Sequence, residues 1–311
     1  MPSVQRLGQY LVYLAVRITI CVVQALPLSV CAQGARGLAW LFHDVLRVRR
    51  RVTDENLAHA FPQLDAAQRR QLARQMWEHL FLFAAEVAHT RRKIHRTNWH
   101  QYLRLEGEAE FVRLLLGDRP VLLVTAHFGN FELAGYFFAL CGYPIHTVAR
   151  PLDNPYLDRF VNRFRGSTGQ IMLSKQGDYD RICSILAAGG TVSFVADQYA
   201  GAKGCWIEFF GRPASAHKAI ALFALDNDAP MAVGRCQRGG GPLQYCLKLQ
   251  GIADPRAAGS EVESIRALTA WYHARFEEFI RQAPQQYWWL HRRWKDHRRR
   301  KPHAAPRARA A

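Results

Sequence analysis

Acidic residues are scarce in this 311-residue chain: 25 Asp and Glu stand against 42 Lys and Arg, giving a net charge of +17 and a pI of about 10.0. A field of that sign favours polyanionic partners: nucleic acid, an anionic lipid surface or an acidic carrier protein. The motifs that read nucleic acid are missing. There is no zinc-ligand spacing, no basic-region heptad and no aromatic ribonucleoprotein signature, so no nucleic-acid partner is expected. Paired cysteines are missing too. The seven at 21, 31, 141, 183, 205, 236 and 246 are odd in number, scattered and form no Cys-x-x-Cys. That argues against a disulfide framework or a thiolate zinc site and suits reduced thiols in a cytosolic compartment. No internal repeat and no linker divides the chain sharply. With 49% hydrophobic and 12% aromatic residues, it is globular.

One long apolar run is present, residues 10–32. Its length suffices for a bilayer core of about 30 Å. Arg17 near its centre is expensive in lipid, and Pro27 should kink or end the helix. The run reads as a membrane helix, partly inserted or lying at the interface, with a packed core helix as the alternative. Farther on, residues 51–61 form a short helix stopped by Pro62, and Ala66 to Thr90 a long one. In the latter, Leu72, Met76, Leu80, Phe83 and Val87 mark a buried face. Gly107 to Leu116 is another helix.

The central stretch is Val121-Leu-Leu-Val-Thr-Ala-His127-Phe-Gly129-Asn130-Phe-Glu132. It reads as a buried strand, a turn and a helix with Asn130 as N-cap. Strands at 145–149 and 191–196 alternate with helices over 157–164 and 179–188, which implies a parallel sheet. His127, Arg150 and Asp197 each follow a strand and so share one sheet edge, where open α/β folds carry their sites. An apolar run with a turn at 206–214, a helix at 218–225 and strands at 230–234 and 243–250 follow, the last expected at an edge. A helix over 260–282 would start from a Ser260/Glu263 capping box. The aromatic and basic segment 284–295 suits either a membrane interface or a core-capping end. The fold expected is α/β: a mixed, largely parallel central sheet flanked by helices, with an N-terminal membrane-associated helix. Three parts are expected: that helix within 1–35, an α/β domain over 36–297 and a basic, disordered tail over 298–311.

Across the strand–turn–helix corner, the side chains of His127 and Glu132 can meet. Imidazole beside carboxylate is the base-and-orienter half of a catalytic triad. No Ser or Cys nucleophile adjoins it, so the group deprotonated can belong to the substrate. His127 and Glu132 are too few ligands for a metal.

The His-x-x-x-x-Glu spacing in His127-Phe-Gly-Asn-Phe-Glu132 resembles the signature of the lipid A biosynthesis (lauroyl/myristoyl) acyltransferases, within the lysophospholipid acyltransferase superfamily. Arg150-Pro-Leu-Asp-Asn-Pro155, Arg165-Gly166, Asp197-Gln198, Phe209-Phe210-Gly211 and Gln286-Tyr-Trp-Trp-x-His291-Arg-Arg293 resemble further family blocks in the same order. The resemblance covers about residues 5–297. It implies a membrane enzyme on the cytoplasmic side of the inner membrane. That enzyme would move a fatty acyl chain from an acyl-carrier-protein or coenzyme A thioester to a hydroxyl of a lipid A-type glycolipid, with no cofactor. His127 would be the general base and Glu132 its orienter. Backbone N–H groups near Gly129, or Arg150, would stabilise the oxyanion. Arg150 and Arg165 could instead bind phosphates, with Asp197 ordering the arginines. Gly129, Asn130 and Gln198 complete the expected substrate-binding set. The competing expectations are another lysolipid, glycolipid or aminolipid acceptor, or a non-catalytic protein that binds anionic lipid.

Overall fold

The computed structural model describes residues 2–175, 177–257 and 262–295. The strands are β1 (Leu103–Glu106), β2 (Val121–Thr125), β3 (Ile145–Ala149), β4 (Ile171–Ser174), β5 (Thr191–Val195), β6 (Cys205–Phe209), β7 (Arg212–Ala216), β8 (Met231–Arg238) and β9 (Tyr245–Ala253). Seven of them form one sheet in the order β1-β9-β8-β2-β5-β3-β4, while β6 and β7 make a separate hairpin. Every neighbouring pair in the large sheet is parallel except β8 and β9. The mixed, largely parallel sheet is therefore as expected. The central strand β2 is buried over Val121–Val124, because helices cover both faces.

Three expectations need correction. The four-residue strands β1 and β4 were not foreseen; Leu-Arg-Leu-Glu and Ile-Met-Leu-Ser are too short to show a period. β9 is not an edge strand, because β1 pairs with its outer side. The alternation of Tyr245, Leu247 and Leu249 reports a covered face and says nothing about which strands lie beside it. The last long helix starts at Ile265, with the Ser264 hydroxyl accepting the Ala267 N–H at 3.1 Å. Glu263 therefore lies before the helix, while Ser260 and the tail from 298 lie outside the described residues.

The helices are α1 (Pro2–Ala25), α2 (Leu28–Trp40), α3 (Arg50–Ala60), α4 (Ala66–Lys93), α5 (Glu108–Leu115), α6 (Phe131–Leu140), α7 (Pro155–Arg165), α8 (Tyr179–Ala187), α9 (Lys218–Asp226) and α10 (Ile265–Gln282). Pro27 separates α1 from α2, and the expected unit boundary at residue 35 falls inside α2. Among the described residues, α1 is the one helix long and apolar enough to cross a membrane, with mean hydropathy 1.5 over Val4–Ala25. One side of it docks on α7. Asn154 donates to the Gln9 carbonyl at 2.8 Å, and the Arg17 guanidinium lies 4.9 Å from the Phe160 ring centroid while donating to the Tyr13 hydroxyl at 2.9 Å. The charge that looked costly in an apolar helix thus has partners. The opposite side leaves Val4, Leu7, Leu11, Val12, Ile18 and Val22 exposed.

α4 lies across the molecule, started by a capping box in which Asp65 accepts from Ala67 and Gln68 while Gln68 returns a bond. The chain end takes the core-capping alternative: Trp289 and Arg293 are buried at 1% and 2% exposure. Arg293 donates to the Ser215 carbonyl at 2.7 Å.

Candidate active site

The site is built on the turn between β2 and α6. Gly129 has φ +56°, and a Cβ there would fall 1.9 Å from the Cys236 carbonyl oxygen, so only glycine fits. Asn130 caps α6 as expected, its Oδ1 accepting the Leu133 N–H at 2.9 Å. The turn is tied on every side. Gly129 N–H donates to Gln286 O at 3.0 Å, Asn130 N–H to Cys236 O at 2.8 Å, and Trp288 N–H to His127 O at 3.1 Å. His79 of α4 reaches the Gly129 carbonyl at 3.1 Å. Arg238 meets the other His79 nitrogen at 2.7 Å. A guanidinium only donates, so His79 Nδ1 accepts and its Nε2–H donates to Gly129. Burial, then the Arg238 charge, hold His79 down to about 3, and it stays neutral.

These bonds correct the expected substrate-binding roles of Gly129 and Asn130. Both backbone N–H groups are engaged inside the protein, and neither residue lines the cavity. They shape the turn and leave no N–H for an oxyanion.

The carboxylate at His127 is also corrected. His127 Nδ1 lies 2.7 Å from Asp197 Oδ1. Strand register explains the pairing. β2 and β5 are parallel neighbours with Thr125 opposite Val195, so residues 127 and 197 each emerge two positions past a paired rung. Burial alone would raise the Asp197 carboxyl. The facing imidazoles of His127 and His291 outweigh it and hold the group well below the usual carboxylate range. Asp197 does not order the arginines. Glu132 instead grips Arg165 at two points, 2.9 Å from Nε and 2.5 Å from Nη2. A guanidinium fork offers a carboxylate two charge-assisted bonds where an imidazole offers one.

An ionised Asp197 at Nδ1 makes that nitrogen the protonated one in neutral imidazole, leaving the Nε2 lone pair outward. Gln198 Nε2 lies 3.3 Å from His127 Nε2 and 3.1 Å from His291 Nε2. Its two N–H groups can serve both acceptors. Burial lowers the His291 pKa, which keeps this second ring neutral. Trp288 packs beside His127, with ring centroids 5.2 Å apart.

His127, Glu132, Arg150, Arg165 and Gln198 open on one cavity of about 980 Å³, within the range of pockets that enclose small ligands. Asp197 stands behind His127, fully buried at its side chain. Arg150 is at the exposed mouth, paired with Asp153. Lys175 and His217, which the sequence did not single out, line the same cavity with Nζ and Nε2 3.3 Å apart. His291 was quoted only as part of a block, since nothing in chain order brings residue 291 beside residue 127. No group of three His, Cys, Asp or Glu able to hold a metal occurs among the described residues.

The family model for the bacterial lipid A biosynthesis acyltransferase matches residues 1–296. Among characterised proteins, the chain is 26% identical to the lipid A biosynthesis palmitoleoyltransferase of Escherichia coli K12 over 275 residues, covering 85% of this chain and 84% of that protein. A Shigella flexneri lipid A biosynthesis acyltransferase matches to the same extent. The lipid A biosynthesis lauroyltransferase of Escherichia coli K12 is 26% identical over 295 residues, 92% of each chain. With a match that runs from the first residue through the β2–α6 corner to residue 296, the chain belongs to the bacterial lipid A biosynthesis acyltransferase family.

Proposed function

We propose that this O-acyltransferase moves a fatty acyl chain from an acyl-carrier-protein or coenzyme A thioester to a hydroxyl of a lipid A-type glycolipid precursor. The observation that carries the reading is His127 lining a large cavity, with its Nδ1 fixed by a buried carboxylate. The acceptor hydroxyl takes the place of the Gln198 amide at Nε2. His127 withdraws its proton as the oxygen attacks the thioester carbonyl, and Asp197 stabilises the imidazolium. The tetrahedral intermediate collapses by breaking the C–S bond, and the imidazolium proton goes to the departing thiolate. The Gln198 amide, released from His127, donates to the oxyanion, a role the engaged Gly129 and Asn130 N–H groups do not fill. Arg150 at the mouth meets a phosphate of the donor arm or the acceptor. The Glu132–Arg165 pair shapes the cavity wall.

The exposed apolar side of α1 enters the inner membrane, and the domain through residue 297 works on its cytoplasmic side. The excess of Lys and Arg draws that domain to anionic lipid.

The test is mass spectrometry of membrane glycolipids from cells with and without this protein, repeated with His127→Ala. One acyl chain missing in both the deletion and the variant is the expected result. Unchanged glycolipids with altered phospholipids would move the acceptor to another lipid class. Wild-type turnover in the variant would overturn the mechanism.

A further inference from the structure

The cavity wall beneath α6 carries a polar patch that acyl transfer as described does not use. Thr147 of β3 and Ser193 of β5 are directly opposite each other in the parallel sheet, and Ser193 is also opposite Leu123 of β2. Their hydroxyl oxygens are 2.6 Å apart. Gln170, just before β4 and 8% exposed, donates from Nε2 to the Thr147 hydroxyl at 2.7 Å. All three line the cavity. What surrounds them on this face is apolar: Leu123, Ile145 and Ala232, packed with Phe111 and Phe138. Gly135 of α6 stands directly over Gln170, where a Cβ would come within 2.6 Å of its amide nitrogen. The missing side chain leaves room for the glutamine to reach the patch.

The hydrogen-bond count is incomplete. Two hydroxyl groups bring two protons, and only one can lie between their oxygens. One hydroxyl proton, the second Gln170 N–H and the Gln170 carbonyl oxygen have no partner among the described residues. Placing a plain hydrocarbon against them would leave polar groups dry and unpaired, which is unfavourable. The patch also sits at a defined depth. Leu123 and Ser193 are two residues below the paired ends of β2 and β5, roughly 7 Å at the rise of a parallel strand. It therefore lies a short way in from the corner that carries His127.

From these observations, and resting on the acyl-transfer reading above, we infer that Thr147, Ser193 and Gln170 form a subsite for a hydroxyl group on the acyl chain, near its carbonyl end. The preferred donor is a hydroxyacyl thioester. The hydroxyl accepts the free proton of the Thr147–Ser193 pair and donates to the Gln170 carbonyl, and the apolar wall takes the remaining chain.

The experiment uses the full chain in lipid and an under-acylated lipid A precursor as acceptor. The donors are dodecanoyl, 2-hydroxydodecanoyl and 3-hydroxydodecanoyl thioesters, each offered both on acyl-carrier protein and on coenzyme A. One of the hydroxylated donors should exceed the dodecanoyl donor on the same carrier about tenfold in kcat/KM, the factor one net hydrogen bond supplies. Thr147→Val and Ser193→Ala should each remove most of that preference while still using the plain donor, which also shows that the variants fold. A wild-type enzyme that prefers the plain donor, or a preference that survives both variants, overturns the subsite. No transfer from any donor by the wild type would instead overturn the acyl-transfer reading on which it rests.

Discussion

At the scale of single residues, chemistry hinges on which carboxylate holds the imidazole. Asp197 is opposite His127, and Glu132 is held by Arg165. Asp197→Asn keeps the shape but presents an amide where a charge stood. It should lower kcat by about 10³–10⁴-fold, the scale of that change in a serine-protease triad. Glu132→Gln should cost less in kcat and act through the cavity wall, with a larger share in KM. Steady-state kinetics of the two variants separate the roles, and a larger kcat loss for Glu132→Gln would restore Glu132 as the orienter. The position of His127 at the carboxyl edge of the sheet was legible in the sequence because residues at strand ends gather there in parallel sheets. The carboxylate was not, because strand order decides which end stands beside His127. β2 has β5 and β8 as neighbours, and no local pattern states that.

At the scale of elements, most helices and strands followed from period, caps and breakers. Pro27, Pro62 and Asn130 act where the sequence put them, since each works through its own backbone. What failed were features set by distant partners: the short β1 and β4, the interior position of β9 and the start of α10. The β2–α6 turn depends on such partners as well. Gly129→Ala must push a Cβ against the Cys236 carbonyl, so it should abolish turnover and lower Tm, as thermal unfolding and an activity assay would show. The α1–α7 seam is simpler. Asn154 caps α7 by accepting from Tyr156 and Leu157 and also donates to Gln9. Asn154→Ala should destabilise by about 1 kcal/mol, measured by denaturant titration.

At the scale of the whole molecule, charge sets two conditions. Burial holds His79 and His273 to about 3, far below the ordinary histidine value. The unfolded chain takes up protons at these sites below about pH 6.5 and the folded chain refuses them. Stability from this source is therefore complete above pH 6.5 and declines as pH falls toward 3, by about 1.4 kcal/mol per pH unit for each ring. Denaturation midpoints at pH 7.5 and 5.5 should show that fall; equal midpoints would contradict the buried neutral rings. The net charge of +17 should make binding to anionic vesicles weaken as salt rises, leaving the part due to α1. Flotation across a salt series measures both parts.

The tie from Gly129 to Gln286 and from His127 to Trp288 also orders events in time. Synthesis releases the β2–α6 corner more than 150 positions before the segment that clasps it. Long-range closures of this kind come late in folding. A half-made chain can carry His127 and most of the sheet and still have no clasped β2–α6 turn. The corner is clasped only once the segment around Gln286 and Trp288 has been made and has folded back onto it.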